Sequence, residues 1–499
     1  MGIIIRQTIK GSIYSYLGAI LGFINVALLM PTIFSTEQIG LTSLLISVSI
    51  ILGQLGSMGF INITTRLFPY FRNKDNSHNG FLSIAILTSL AGFILCLVIY
   101  YLSKPYLISN NIEKSPLFAQ YVYLLVPLIF FTIYYLLLDA YNRMLYNASF
   151  GVFLKDFLLR ILNLIGIVLF WMGYLDFKGF IYYYTLAYGV PTIGLGVYLL
   201  WKKEFSLKLQ LNFITPKLKS DMISVGLFGL ISGFSGIVVI NIDRYMVNHY
   251  LDLSATGVYA TAFYFGTLIL LPGRSLRRIG SSVITQALKD NDLETVKQIY
   301  SKSTINMLIA AIGLFLLIWA NEHNIFKMLP EAFSDGRLVI FFIGVAHILN
   351  MTAGVSGEII QFSKHYRKHA IIMGVFITLI IITNMLLIPI MGIVGAAIAS
   401  AISYLLYDIM RFGFLLKHYK FQPYSYKHLI ILITGIATYA ISLILPELNN
   451  WILDTIIRSS LVSIIFGTSL YFMKISSDMN NTILVIIKKL KNIVISNNK

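Results

Sequence analysis

Apolar stretches of roughly 20 residues recur from one end of this sequence to the other, each long enough to cross about 30 Å of hydrocarbon as a helix. They fall near 12–32, 41–65, 81–103, 118–141, 151–173, 179–201 and 221–242, then near 256–273, 303–320, 338–361, 369–389, 392–414, 427–446 and 452–473. Strands of a membrane barrel would alternate polar and apolar residues in spans of about ten, which these do not. The expectation is therefore an all-α, polytopic membrane protein of about 14 transmembrane helices, with no room left for a sizeable soluble domain.

Composition agrees. With 57% hydrophobic and 12% charged residues and a mean hydropathy of +0.79, the 499 residues hold too little polar surface to coat a water-soluble globule. Arg6 and Lys10 precede an apolar run of full length without a small-residue cleavage site, which reads as a retained first helix. Cys96 is the only cysteine; it lies in an apolar run and reads as a packing residue, with no cysteine metal cluster to build.

A net charge of +17 raises the question of nucleic acid, and the placement of the charge answers it. Arg66, Arg72 and Lys74 share one connection. Lys202, Lys203, Lys208, Lys217 and Lys219 share another, and Arg274, Arg277, Arg278, Lys289, Lys297 and Lys302 a third; all three lie on one side of the predicted helices. With Arg143, Lys155, Lys364, Arg367, Lys368, the group from Arg411 to Lys427 and the tail, roughly 30 basic residues occupy that face against about 6 opposite. This is the pattern of a cytoplasmic face. Both ends of an even-numbered bundle are then cytoplasmic, and a nucleic-acid partner is not indicated.

The turn Ser35-Thr-Glu-Gln-Ile-Gly40-Leu resembles Asp252-Leu-Ser-Ala-Thr-Gly257-Val, 217 residues later, and Gly179 matches Gly395 at nearly the same offset. Asp139 and Glu358 keep a similar spacing. Six helices therefore read as duplicated in parallel. The expected division is an N-lobe at 1–206, a C-lobe at 207–420, and an appendage at 421–499 of two helices and a basic amphipathic tail around Ile483–Val494 that suits an anionic membrane surface. The connection Arg274–Lys302 is also amphipathic, and reads as helical with a break at Asp290-Asn-Asp292.

Asn241-Ile-Asp243-Arg244-Tyr followed by Gly257-Val-Tyr259-Ala-Thr-Ala262 resembles the end of helix 7 and the start of helix 8 in polysaccharide transporters, and Pro389-Ile-Met-Gly-Ile-Val-Gly395-Ala-Ala resembles the start of helix 12. With the helix count and the Gly40 turn, the chain resembles a Wzx-type flippase of the multidrug/oligosaccharidyl-lipid/polysaccharide (MOP) exporter superfamily. The resemblance implies two six-helix lobes around a cavity open alternately to either side. It further implies undecaprenyl-diphosphate-linked oligosaccharide as cargo, carried from the inner to the outer leaflet of a bacterial cytoplasmic membrane. A polysaccharide polymerase and a chain-length regulator are candidate partners.

Such a cargo needs cations and hydrogen-bonding surfaces facing water, because hydrocarbon solvates neither a diphosphate nor a glycan. Arg160, about halfway along its helix, is the leading diphosphate candidate; the competing reading pairs it with Asp156 one turn earlier. Asp139 and Arg143 repeat that spacing near Tyr134, either at a cavity mouth or as interfacial anchors. Arg66 and Arg274 lie where the cargo would enter, as topology alone would also place them. Tyr182, Tyr183, Tyr184 and Tyr188 suit sugar stacking or an aromatic belt. Asp243 and Arg244 read as an outer gate. Glu358 reads as a coupling carboxylate for a Na+ or H+ gradient, or as a solvated helix end. Asp454 and Arg458 read as packing for the appendage.

Other functions compete. A peptidoglycan-precursor (lipid II) flippase would share the helix count, and a MATE-type multidrug/cation antiporter would share the lobes with about twelve helices. A membrane polymerase would need a large outer loop with catalytic groups, whereas here the pair Glu322 and His323 is explained by an exposed polar turn. No nucleotide loop or metal-ligand motif occurs, so the chain reads as a carrier without cofactor rather than an enzyme.

Overall fold

The computed structural model describes residues 2–481 and Leu484, and every regular element among them is a helix. In chain order these give α1 (Gly2–Phe23, continued through Ile24–Leu29 and Met30–Ile33), α2 (Thr36–Gly56, continued as Phe60–Phe71), α3 (Phe81–Asn111), α4 (Pro116–Met144) and α5 (Ala148–Val152 through Leu159–Trp171). Next come α6 (Phe177–Trp201), α7 (Pro216–Tyr250), α8 (Leu253–Lys289), α9 (Leu293–Trp319) and α10 (Arg337–Thr352). Tyr366–Tyr419 supplies α11 and α12, and α13 (Tyr426–Ser442) and α14 (Trp451–Phe472) follow.

Ten helical stretches are long and apolar enough to cross a membrane by length and composition. One of them, Tyr366–Tyr419, has 54 residues and as a straight helix would reach about 80 Å, far beyond a bilayer. It is broken at Gly392 (φ 59°, ψ −141°), a backbone state open to glycine. Gly395 packs directly on the Leu387 carbonyl, so the chain folds back and two spans result. With α5, α6 and α13 the described residues carry the expected fourteen. Large apolar side chains such as Leu386, Ile390, Ile444, Ile456 and Ile464 stay exposed, as only a lipid solvent tolerates. The protein is a multi-pass membrane protein.

The local signals act where the sequence puts them. Ser35 accepts from the Gln38 N–H at 3.3 Å while Gln38 reaches back to the Ser35 N–H at 3.1 Å, a capping box that starts α2. Asp292 caps α9 through the Thr295 N–H at 3.0 Å, ending the break at Asp290-Asn-Asp292. The amphipathic tail expected around Ile483–Val494 lies, apart from Leu484, outside the described residues.

The chain forms two compact units, Met1–Tyr264 with Met373–Ala396, and Phe265–Ile372 with Ala397–Lys499. The first is cored by Leu41, Leu44, Tyr100, Leu128 and Ile133 at one level and by Phe68, Phe71, Phe81, Tyr141 and Leu195 at another. Cys96 belongs to the first of these layers, fully buried, with its thiol directed at the Leu52 carbonyl at 3.2 Å. The second unit is cored by Ile284, Tyr300, Met307, Met351 and Leu415, and by a satellite in which α9, α13 and α14 meet through Leu308, Ile312, Ile431, Val462 and Phe466.

Asp454 and Arg458 form the expected pair at 3.2 Å and do more than pack. Arg458 donates to the Ser442 carbonyl at 2.7 Å, while Asp454 accepts from His323 at 2.8 Å and Asn324 at 2.6 Å. His323 and Glu322 are thus not a solvated turn: Glu322 pairs with Arg337 and His323 ties the helix Glu322–Met328 to α14.

Candidate functional site

Arg160 stands at the middle of α5, and the helix changes pitch just before it. Phe153–Leu158 is π-helical, with hydrogen bonds to the fifth residue rather than the fourth. Among the described residues no ion pair links Asp156 and Arg160, although Asp156 stays an electrostatic neighbour of Arg160. Lys155, five residues before Arg160, is a further neighbour, with Asp139 and Asp156 nearby and its ammonium 4.3 Å from the centre of the Tyr135 ring. Sequence spacing places Lys155 among the inner-face cations; the structure takes it into the bundle.

Helix α1 makes room for this. A Cβ on Gly18 would meet the Asp156 carbonyl, and a Cβ on Gly22 would lie 3.4 Å from Arg160 Nε and against the Tyr264 hydroxyl. Helix α1 has its own π-helical segment at Ile24–Leu29, from which Asn25 Nδ2 donates to the Arg160 carbonyl at 2.8 Å. The Gly18-x-x-x-Gly22 spacing is a sequence signal for such close packing and points to the helix that seats Arg160.

Around the guanidinium stand phenols: Tyr188, Tyr264 and Tyr184 are its leading electrostatic partners, with Asp156 following. Tyr184 and Tyr188 approach each other at 3.4 Å between hydroxyls. Tyr188 is also an electrostatic neighbour of Arg244 of α7. Arg244 lies over the Phe263 ring at 4.8 Å and, among the described residues, makes long bonds of 3.4 Å to Ser47, Ile240 and Asn241. Its chain neighbour Asp243, 1% exposed, turns elsewhere and accepts from Tyr259 and from Asn384 of α11, both at 2.8 Å. Lys155, Arg160, Tyr184 and Arg244 are each half-buried.

A guanidinium with phenols around it and, among the described residues, no carboxylate at ion-pair distance keeps its charge available, and in hydrocarbon an uncompensated cation costs about 2.5–3.5 kcal/mol. An anion with several oxygens is the chemical complement, since a guanidinium recognises phosphate through paired N–H donors.

The other expected site residues separate into groups. Asp139 and Arg143 form their ion pair at 3.3 Å at the end of α4, with Asp139 also packed on Gly151. Tyr134 packs on Phe130 with the rings tilted and their centres 4.6 Å apart. Tyr182 is exposed and shares a 2.5 Å contact with Tyr123, away from Arg160. Arg66 is exposed on α2 and Arg274 is exposed on α8. Glu358 lies in the second unit, on a short helix Ser356–Phe362, where it neighbours Arg411 rather than only solvent.

Fourteen spans with a half-buried cationic cluster among them define a multi-pass α-helical membrane protein. Residues 4–271 match the family described as polysaccharide biosynthesis protein, more than half of the chain, and the chain belongs to that family. Among known proteins it is 21% identical over 225 residues to the probable low-salt glycan biosynthesis flippase Agl15 of Haloferax volcanii, a match covering 44% of this chain and 47% of that protein. The match spans about half the length of that relative. In fold it is similar to the lipid II flippase MurJ in an inward closed conformation, with a TM-score of 0.73 at 14% identity over 93% of this chain and 99% of the other. It is also similar to an inward-facing multidrug resistance MATE family transporter of the MOP superfamily, with a TM-score of 0.56 at 16% identity over 81% and 93%. At these identities the two structures speak for the fold.

Proposed function

We propose that this chain is a flippase for undecaprenyl-diphosphate-linked oligosaccharide repeat units, moving them from the inner to the outer leaflet of a bacterial cytoplasmic membrane for surface polysaccharide assembly. The observation that carries this is Arg160, a guanidinium midway along α5 with the phenols of Tyr184, Tyr188 and Tyr264 around it, within a chain of the polysaccharide biosynthesis family. The diphosphate engages Arg160, with Lys155 and Arg244 as flanking cations, and the phenols of Tyr184 and Tyr188 offer hydroxyls to the first sugars. Arg66, Arg274 and Arg143 collect the anionic head at the cytoplasmic mouth, while Tyr134 and Tyr182 contact glycan. Both termini are cytoplasmic, movement is by alternating access of two lobes, and a Na+ or H+ gradient drives it. The chain is a carrier, not a catalyst, and works beside a polysaccharide polymerase and a chain-length regulator.

The test is surface-glycan display in a deletion strain complemented with wild type or Arg160→Ala. Loss of the glycan with viable cells and internal accumulation of lipid-linked repeat units, reversed by wild type and not by Arg160→Ala, is the expected result. Lethal lysis on deletion would instead identify the peptidoglycan precursor as cargo.

A further inference from the structure

The second unit gathers charges that the phosphate site does not use. Arg411, 2% exposed, pairs with Asp408, 8% exposed, one turn earlier on α12, and its guanidinium carbon lies 4.1 Å from the centre of the Tyr407 ring. Position along the sequence places Arg411 among the inner-face loop cations; the structure buries it. Gly357 lets it in, since a Cβ there would stand 3.1 Å from Arg411 Nη1 and 4.0 Å from His369 Nε2. Glu358 faces Arg411 from the short helix Ser356–Phe362. Arg277 of α8 faces Asp408 while bound to Asn350 by two 2.9 Å bonds. Tyr300 of α9 and Tyr424 close the remaining sides.

Two carboxylate oxygens in this cluster, Asp408 Oδ2 and Glu358 Oε2, are inaccessible to water and have no hydrogen-bond partner, and neither has Arg411 Nε. Asp408 Oδ1 accepts from Arg411, but a carboxylate oxygen left without a donor in a low-dielectric interior makes the anion less favourable, and a proton on it relieves that cost. A metal cation would need several oxygens and room around it, beside two guanidiniums that repel it. We propose that Asp408 is the proton-binding group of this protein, with Glu358 as the alternative partner of Arg411. With Asp408 ionised, Arg411 stays on α12. When a proton adds to Oδ2 the carboxyl becomes neutral, and Arg411 turns to Glu358. The joint for the resulting shift is Gly354, whose positive φ of 58° links α10 to the short helix.

This rests on the flippase reading, because the proton is useful only if cargo moves. The test places the full chain in proteoliposomes with a fluorescent lipid-linked oligosaccharide and reads the leaflet ratio at steady state, with membrane potential shunted. A pH difference of about one unit should shift the wild-type ratio by up to about tenfold per proton exchanged. Asp408→Glu should retain the shift and Asp408→Asn should bring the ratio to unity. The ratio does not depend on rate, so a slower variant is read equally well. A shift kept in Asp408→Asn, or produced by a sodium gradient and not by pH, overturns the proton site alone. Cargo that never redistributes in wild type overturns the flippase reading with it.

Discussion

Gly40 and Gly257 pack backbone against backbone: a Cβ on Gly40 would strike the Leu253 carbonyl, and a Cβ on Gly257 would strike the Thr36 carbonyl. Thr36 Oγ1 and Ser254 Oγ complete the contact at 2.7 Å. These are the two turns whose sequences resemble each other 217 residues apart, and the contact is reciprocal in the manner that a two-fold relation between like surfaces produces.

Substituting either glycine should therefore hold the turns apart. Gly257→Val should destabilise the protein by about 1–3 kcal/mol, the usual cost of overpacking, and lower glycan display. A thermal unfolding series in detergent measures the first effect, and retention of wild-type stability would contradict the contact. A Thr36→Cys/Ser254→Cys pair should cross-link under mild oxidant.

Asn25 should matter for the shape of the site rather than its charge. Its amide holds the Arg160 carbonyl, so Asn25→Leu should cost about 1 kcal/mol of stability and reduce export. Gly22→Val should reduce export through direct pressure on Arg160 Nε. Flipping rates set against melting temperatures separate these two effects.

The Asp454–Arg458 pair offers a double-variant test in the second unit. Asp454→Ala leaves a covered guanidinium without its carboxylate and should cost about 3 kcal/mol. Asp454→Ala combined with Arg458→Leu should cost less than Asp454→Ala alone. Melting temperatures of the three proteins check this, and strictly additive losses would refute it.

His365, just outside α11, should make stability pH-dependent. Burial lowers its pKa, and His418, Lys364 and Lys368 add to this, so the folded state favours the neutral ring. That contribution is fully present above about pH 6.5 and is lost as pH falls through the lower folded value. Between pH 7.5 and 5 in detergent, roughly the window of that titration, wild type should lose more thermal stability than His365→Gln; equal losses would exclude the effect.

The helix count was legible because a bilayer fixes the length of every apolar run, and Ser35 and Asp292 announce their caps by residue type alone. Arg160 was legible from its depth in an apolar stretch. Its surroundings were not, since i,i+4 counting finds Asp156 but not the phenols of Tyr184, Tyr188 and Tyr264 that distant parts of the chain bring to Arg160. Lys155 and Arg411 show the same limit from another side. Hydropathy finds where helices end but not which end residues turn inward, and Gly357, which admits Arg411, is one unremarkable glycine among 36.

The most direct measurement is the rate at which the purified full chain moves a fluorescent undecaprenyl-diphosphate-linked oligosaccharide between leaflets of proteoliposomes, for wild type, Arg160→Lys and Arg160→Ala. Loss of charge-assisted hydrogen bonds to the diphosphate should slow Arg160→Ala by about 10- to 100-fold, with Arg160→Lys between it and wild type. A folded Arg160→Ala protein that moves the cargo at the wild-type rate would contradict the account.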